Sequence, residues 1–276
     1  MLHFKRFAIA AAVVFAGISL IGQELKFNEV ISRAKELSAA KKNLEAAAEA
    51  EKAYQLKGIT PHQKSTAAYL AGVYYFWGKK PAEADRILTK TLQEDQHNKS
   101  MIYEINSVHF NVLMNTRQYD RMNQALTAME KINPKSKDFL AKKAKADQIN
   151  MNLQWEKMLK PLKDLVAAKK YLEAAAEAEK LYQTEGLTPH QKASAAYFAG
   201  VYYSWGKKPA EAERLCEVAL QEKNLSKPLT RSIYTLYFNV LLRRGQKDRA
   251  GKILETLKEN GLPDEEFQKL RERLNP

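Results

Sequence analysis

Two nearly identical phrases, ITPHQK at 59–64 and LTPHQK at 187–192, each bring a histidine and a lysine together. A histidine can act as a general base or bind a metal, and a lysine can hold an anion. Either task needs further groups at set spacing: a second ligand for a metal, or a nucleophile for a base. No second histidine or carboxylate stands at ligand spacing beside His62 or His190. Thr60 is instead followed by Pro61 and, three residues on, by Gln63, and Thr188, Pro189 and Gln191 repeat the arrangement. Thr-x-x-Gln is a capping box, in which the threonine oxygen accepts from a first-turn N–H and the glutamine reaches back to the cap's own N–H. Proline suits the first helical position. The phrase therefore predicts two helix starts, with His62 and His190 exposed in the first turn.

Other candidates for chemistry fall in the same way. The spacing Gly72…Gly78-Lys79 approaches a phosphate-binding loop. It has one residue too many between the glycines, and Lys80 stands where a hydroxyl should bind magnesium. In WGKKPAEA, Gly78 is expected to close one helix in the left-handed conformation, while Pro81 and Glu83 open the next. The one cysteine, Cys216, lies among apolar neighbours and reads as a buried, inert thiol. No catalytic, cofactor-binding or metal-ligating residue is assigned, and no cofactor is expected.

The elements that carry these phrases repeat. The two phrases are 128 residues apart, and the offset holds without a gap from Leu25/Leu153 to Leu126/Leu254. The chain therefore reads as a tandem duplication. A shorter period of 38 lies inside each half, at Ala46, Ala84 and Met122 and again at Ala174, Ala212 and Ala250. Each of these residues begins an apolar stripe at helical spacing, such as Ala46–Ala50–Ala53, and a second helical pattern precedes each stripe. The unit is a helix hairpin, three per half. Few glycines and prolines, and a dominance of Ala, Lys, Glu and Leu, agree with an all-α chain.

The stretch AAYLAGVYYFWGKKPAEADRILTKTL at 67–92 resembles the tetratricopeptide repeat (TPR) at Gly72, Tyr75, Gly78, Glu83-Ala84 and Leu92; its copy at 195–220 does so too. The resemblance implies an α-solenoid of TPR-like hairpins. The 38-residue period exceeds the usual 34, and the other four units match weakly. The expected organisation is a signal peptide at 1–22, a first half at 25–134, a connecting helix at 135–152, a second half at 153–262 and a C-terminal capping helix at 263–276. Pro161 is expected to break or kink the helix in which it falls.

The segment Pro61–Trp77 is apolar on every side, so it is buried or offers one side to a partner. The resemblance places Ala68, Ala71, Gly72 and Tyr75 against the paired helix. It leaves Tyr69, Val73, Phe76 and Trp77 on the concave side, where such repeats hold peptides. Asn111 faces the same way, and the second copy supplies Tyr197, Val201, Ser204, Trp205 and Asn239. The competing reading packs these aromatics hairpin against hairpin. The carboxylate clamp of chaperone-binding members is missing, with Ser32 and Glu36 where a lysine and an asparagine are wanted. Between 42–94 and 170–222, 38 of 53 positions are identical, whereas beyond them only 10 of 37 are. Packing accounts poorly for identities such as Glu45, Glu49, Lys64, Lys79 and Lys80. A shared partner surface and local gene conversion are the two accounts of them.

The first residues, MLHFKRFAIAAAVVFAGISLIGQE, read as a secretory signal: Lys5 and Arg6, a short apolar run, then Gly22 before the cut. A retained N-terminal anchor is the alternative. Losing Lys5 and Arg6 takes the net charge from +13 to +11. A basic surface favours an acidic partner or an anionic surface, and export argues against nucleic acid. The expected protein is an exported, periplasmic or secreted, non-enzymatic scaffold for a protein or peptide. The alternatives are a basic envelope protein that binds a membrane surface or polymer, and an enzyme with a helical-array cleft.

Overall fold

The computed structural model describes residues 22–94 and 98–274. The expected signal segment, apart from Gly22, lies outside them. Among the described residues there are no strands and thirteen helices. They are α1 (22–39), α2 (Asn43–Tyr54), α3 (Pro61–Trp77), α4 (Pro81–Leu92), α5 (Lys99–Asn115), α6 (Tyr119–Glu130), α7 (Lys137–Ala167), α8 (Tyr171–Tyr182), α9 (Pro189–Trp205), α10 (Pro209–Gln221), α11 (Lys227–Arg243), α12 (Lys247–Glu259) and α13 (Asp264–Leu274). Each helix from α8 to α12 begins 128 residues after its counterpart from α2 to α6. The chain is all-α, a series of TPR-like hairpins. It divides into two compact units, Met1–Ile149 and Asn150–Pro276, the division falling within α7.

The hairpin turns recur with the 38-residue period. Lys41, Lys79, Arg117, Lys169, Lys207 and Gly245 all have φ between 57° and 72°. Each follows the last residues of a helix and lets the chain double back. At the second turn the Lys80 N–H donates to the Tyr75 carbonyl at 2.9 Å and the Lys79 N–H to the Phe76 carbonyl at 3.1 Å, a Schellman pattern. The left-handed residue is thus Lys79, and Gly78 keeps a φ of −75°. Gly78 is small for a tertiary reason: a Cβ there would sit 2.5 Å from Leu44 Cδ2 and 3.1 Å from the Tyr74 carbonyl oxygen. Gly206 meets Leu172 in the same way at 2.4 Å.

The repeated phrase is a structural device. The Gln63 N–H donates to Thr60 Oγ1 at 3.2 Å, and the Thr60 N–H donates to Gln63 Oε1 at 2.8 Å. Thr188 and Gln191 form the same box. His62 and His190 are exposed. Each reaches the N-cap residue two helices on: His62 lies 3.4 Å from Asn98 and His190 lies 3.1 Å from Ser226.

In the first unit the hairpins are α1–α2, α3–α4 and α5–α6, followed by the start of α7. Phe27, Ile31 and Ala34 join Ala46, Ala50, Ala67, Ala71, Ile87 and Leu88 in one core, and Phe110, Leu113, Met122 and Ala146 form a smaller one. In the second unit the end of α7 supplies Leu159 and Leu162 to a core with α8 to α13. Alanine and glycine at the crossings let helices pack closely, so a Cβ at Gly72 would lie 2.6 Å from Leu88. The helix α7 continues through Pro161, so the break expected there does not occur. Both Pro161 and Lys157 are exposed, so the carbonyl that lost its N–H partner meets water.

Candidate functional site

In the first unit the five residues singled out from the sequence share one cavity. Tyr69, Val73, Phe76 and Trp77 come from α3 and Asn111 from α5; Lys35, Ser38, Leu70, Tyr74 and Val108 complete the lining. The volume is about 370 Å³. This placement follows from what the rest of α3 must do. Ala67, Ala68, Ala71 and Gly72 are buried, Gly72 against α4, and the Tyr75 hydroxyl donates to Glu51 of α2 at 2.7 Å. With that face used, Tyr69, Val73 and Trp77, four apart, turn towards α1 and α5.

Trp77 is 58% exposed, and its ring lies 5.9 Å from that of Tyr74. A side chain so open is not a core anchor. Asn111 is half-buried and makes no side-chain hydrogen bond among the described residues. Lys35 has no ion pair among them either. Burial raises the Tyr69 hydroxyl pKa, and the nearby Glu104 and Asp138 raise it further, so Tyr69 stays a neutral donor and acceptor. The result is an aromatic-walled slot with one uncommitted amide and one ammonium. Its chemistry suits an apolar chain segment whose backbone bonds to Asn111.

The second unit does not repeat this grouping. Tyr197 and Val201 are half-buried, and Tyr197 packs beside Phe198, with ring centroids 5.8 Å apart. Asn239 is committed, since Arg273 of α13 donates to its Oδ1 at 2.9 Å. Ser204 is buried and bonded to Arg243. Trp205 is 50% exposed and lines a different cavity with Tyr171, Ser204, Lys207, Pro209 and Arg243. The copies therefore share backbone and differ in the surface they offer.

Several identical polar residues have partners inside the fold. Lys64 pairs with Glu94 at 3.0 Å and lies 5.1 Å over the Tyr54 ring. Glu49 pairs with Lys52, as Glu177 does with Lys180. Lys79 and Lys207 hold the left-handed turns. Of the five lysines between 135 and 145, Lys142 pairs with Asp138 and Lys143 with Glu130, while Lys135, Lys137 and Lys145 are exposed.

Sequence reasoning passed over one polar cluster in each unit. Asp85 of α4 accepts from Arg121 of α6 at 2.7 Å and bonds His109 of α5 at 2.7 Å. Burial by itself raises the Asp85 pKa, but bonds from Arg121, His109 and Thr89 outweigh it and hold the carboxyl well below the ordinary range. Burial also keeps the His109 pKa low. In the second unit Glu213 takes Arg244 and Arg249, and Tyr237 takes the place of His109. The matched pairs Asp85/Arg121 and Glu213/Arg249, each 36 residues apart, were the available signal. These clusters clamp helix to helix. Among the described residues no group of three His, Cys, Asp or Glu is placed to hold a metal ion, and no helix is long and apolar enough to cross a membrane.

No protein-family model matches the sequence, and no curated protein matches it. Solved structures do. A TPR2AB domain of yeast Sti1 in complex with a pHSP90 is 12% identical over 91% of this chain and 99% of that one, with a TM-score of 0.47. The P58(IPK) TPR domain is 15% identical over 90% of this chain, which spans 64% of that one, with a TM-score of 0.37. YrrB, described as a TPR protein with an unusual peptide-binding site, is 21% identical over 70% of this chain and 84% of that one, with a TM-score of 0.31.

Proposed function

We propose that the chain is an exported, non-enzymatic scaffold that holds an extended peptide or protein segment in the groove between α1, α3 and α5. The observation that carries the reading is the meeting of Tyr69, Val73, Phe76, Trp77 and Asn111 in one open cavity of about 370 Å³. Apolar side chains of the guest would sit against Tyr69, Val73 and Phe76, Trp77 would cover them, and Asn111 would bond the guest backbone. Half-exposed aromatic anchors of this kind often carry about 2 kcal/mol or more of binding energy. The export part of the reading rests on the basic start, short apolar run and small residue of the first 22 positions.

The test is a peptide array of extended apolar sequences probed with the full chain and with Trp77→Ala and Asn111→Ala. Both variants are expected to stay folded by circular dichroism, because Trp77 is exposed and Asn111 holds no other residue. Both should lose most of the signal of the parent chain. Binding that ignores both changes would reject the groove. For export, intact mass after secretion from a bacterial host should correspond to a chain starting at or near Gln23.

A further inference from the structure

The cavity around Trp205 in the second unit has a chemistry of its own. We propose that it is a subsite for an acidic side chain of a bound peptide, with an apolar neighbour of that residue lying on Trp205 and Tyr171. This rests on the reading of the chain as a peptide-binding scaffold.

The cavity measures about 730 Å³. It gathers the ends of four helices: Tyr171 opens α8, Ser204 and Trp205 close α9, Pro209 opens α10 and Arg243 closes α11. Lys207 lies in the turn between α9 and α10. Two cations line it and no carboxylate does, among the described residues. Neither Lys207 nor Arg243 has an ion pair among them. Of the other arginines from α10 to α12, Arg214 pairs with Glu179, and Arg244 and Arg249 pair with Glu213, while Arg231 donates to the Gly261 carbonyl.

Arg243 is also fixed in place. Its Nη1 donates to Ser204 Oγ at 2.8 Å and to the Ser204 carbonyl at 3.2 Å. A guanidinium has five N–H donors in a rigid fork, so the others remain for a guest carboxylate. The aromatic wall is set as well. The Trp205 ring meets Tyr171 edge-on at 5.5 Å and lies 5.7 Å from Tyr202.

The first unit serves as an internal control. At the matched positions it has Asn43, Phe76, Trp77, Lys79, Pro81 and Asn115. Trp, Lys and Pro are unchanged between the copies. The three changes, to Tyr171, Ser204 and Arg243, act together. Serine replaces the bulk of Phe76 and anchors the guanidinium, arginine brings the charge, and tyrosine adds a ring. Packing alone does not call for an unpaired arginine beside an unpaired lysine.

The experiment uses the ¹⁵N-labelled full chain. It follows the indole N–H signals of Trp77 and Trp205 and the Nε–H of Arg243, assigned by substitution. The probes are two capped peptides, one of alternating Leu and Glu and one of alternating Leu and Gln, and vesicles containing phosphatidylglycerol. The Glu peptide should move the Trp205 and Arg243 signals, and the Gln peptide should bind there at least about tenfold more weakly. Added salt should weaken the Glu peptide selectively. Lys207→Gln, a change at an exposed turn residue, should reduce the preference. Ser204→Phe with Arg243→Asn, which installs the first unit's pair, should remove it. The proposal is overturned if Trp205 responds equally to both peptides, responds only to vesicles, or stays still while Trp77 moves. If no peptide moves either tryptophan, the scaffold reading itself fails, and this subsite with it.

Discussion

Gly72 and Gly200 hold matched positions in α3 and α9, yet the same substitution should act differently at each. A Cβ on Gly72 would lie 2.6, 2.7 and 3.1 Å from Cδ2, Cγ and Cδ1 of Leu88. Leu88 is fully buried, so it must shift within a packed core. At Gly200 the nearest atom is Leu236 Cδ2 at 3.2 Å, followed by the Ala212 carbonyl oxygen at 3.4 Å. Leu236 is half-buried, and its tip can give by a few tenths of an ångström. Both changes gain about 1 kcal/mol of helix propensity. Overpacking a core costs about 1–3 kcal/mol. Gly72→Ala should therefore lose up to about 2 kcal/mol, while Gly200→Ala should be neutral or gain up to about 1. Repeat arrays need not unfold in a single step, so the assay is amide hydrogen exchange read separately on α3–α4 and α9–α10. Equal losses at the two sites, or a larger loss at Gly200, would refute the account of how these helices cross.

Thr60→Ala and Thr188→Ala should each cost about 1 kcal/mol of local stability by the same exchange measurement, with His62→Ala and His190→Ala costing less. Stability should fall with acid in two stages. The folded His109 imidazole resists protonation, so loss begins below the ordinary histidine pKa of about 6.5, and the low Asp85 pKa adds a loss below about 4. In thermal melts from pH 7 to 3, His109→Gln should flatten the first stage and Asp85→Asn the second. Burial pushes the Cys216 thiol up to about 12, so iodoacetamide at pH 8 should label it only after denaturant is added; fast labelling of the native chain would contradict its burial.

Much of the fold was legible because its signals are local. A capping box spans four residues, a helical stripe spans eight, and the 128-residue offset needs only one sequence laid against itself. The choice of Tyr69, Val73, Phe76, Trp77 and Asn111 as neighbours followed from the helical period together with the repeat resemblance. The tertiary structure decided what depends on atoms far apart in the chain. Leu44 accounts for the glycine at 78, leaving the left-handed turn to Lys79, because the side chain that crowds position 78 comes from the preceding hairpin. Asp85, His109 and Arg121 meet across three helices, which no spacing within one helix announces. The two copies also part company there. Ser204 draws in Arg243, 39 residues away, and Arg273 occupies Asn239, 34 residues away. Two surfaces that the sequence presents as copies therefore expose different chemistry, because a side chain's neighbours depend on packing between helices as much as on its own position within one.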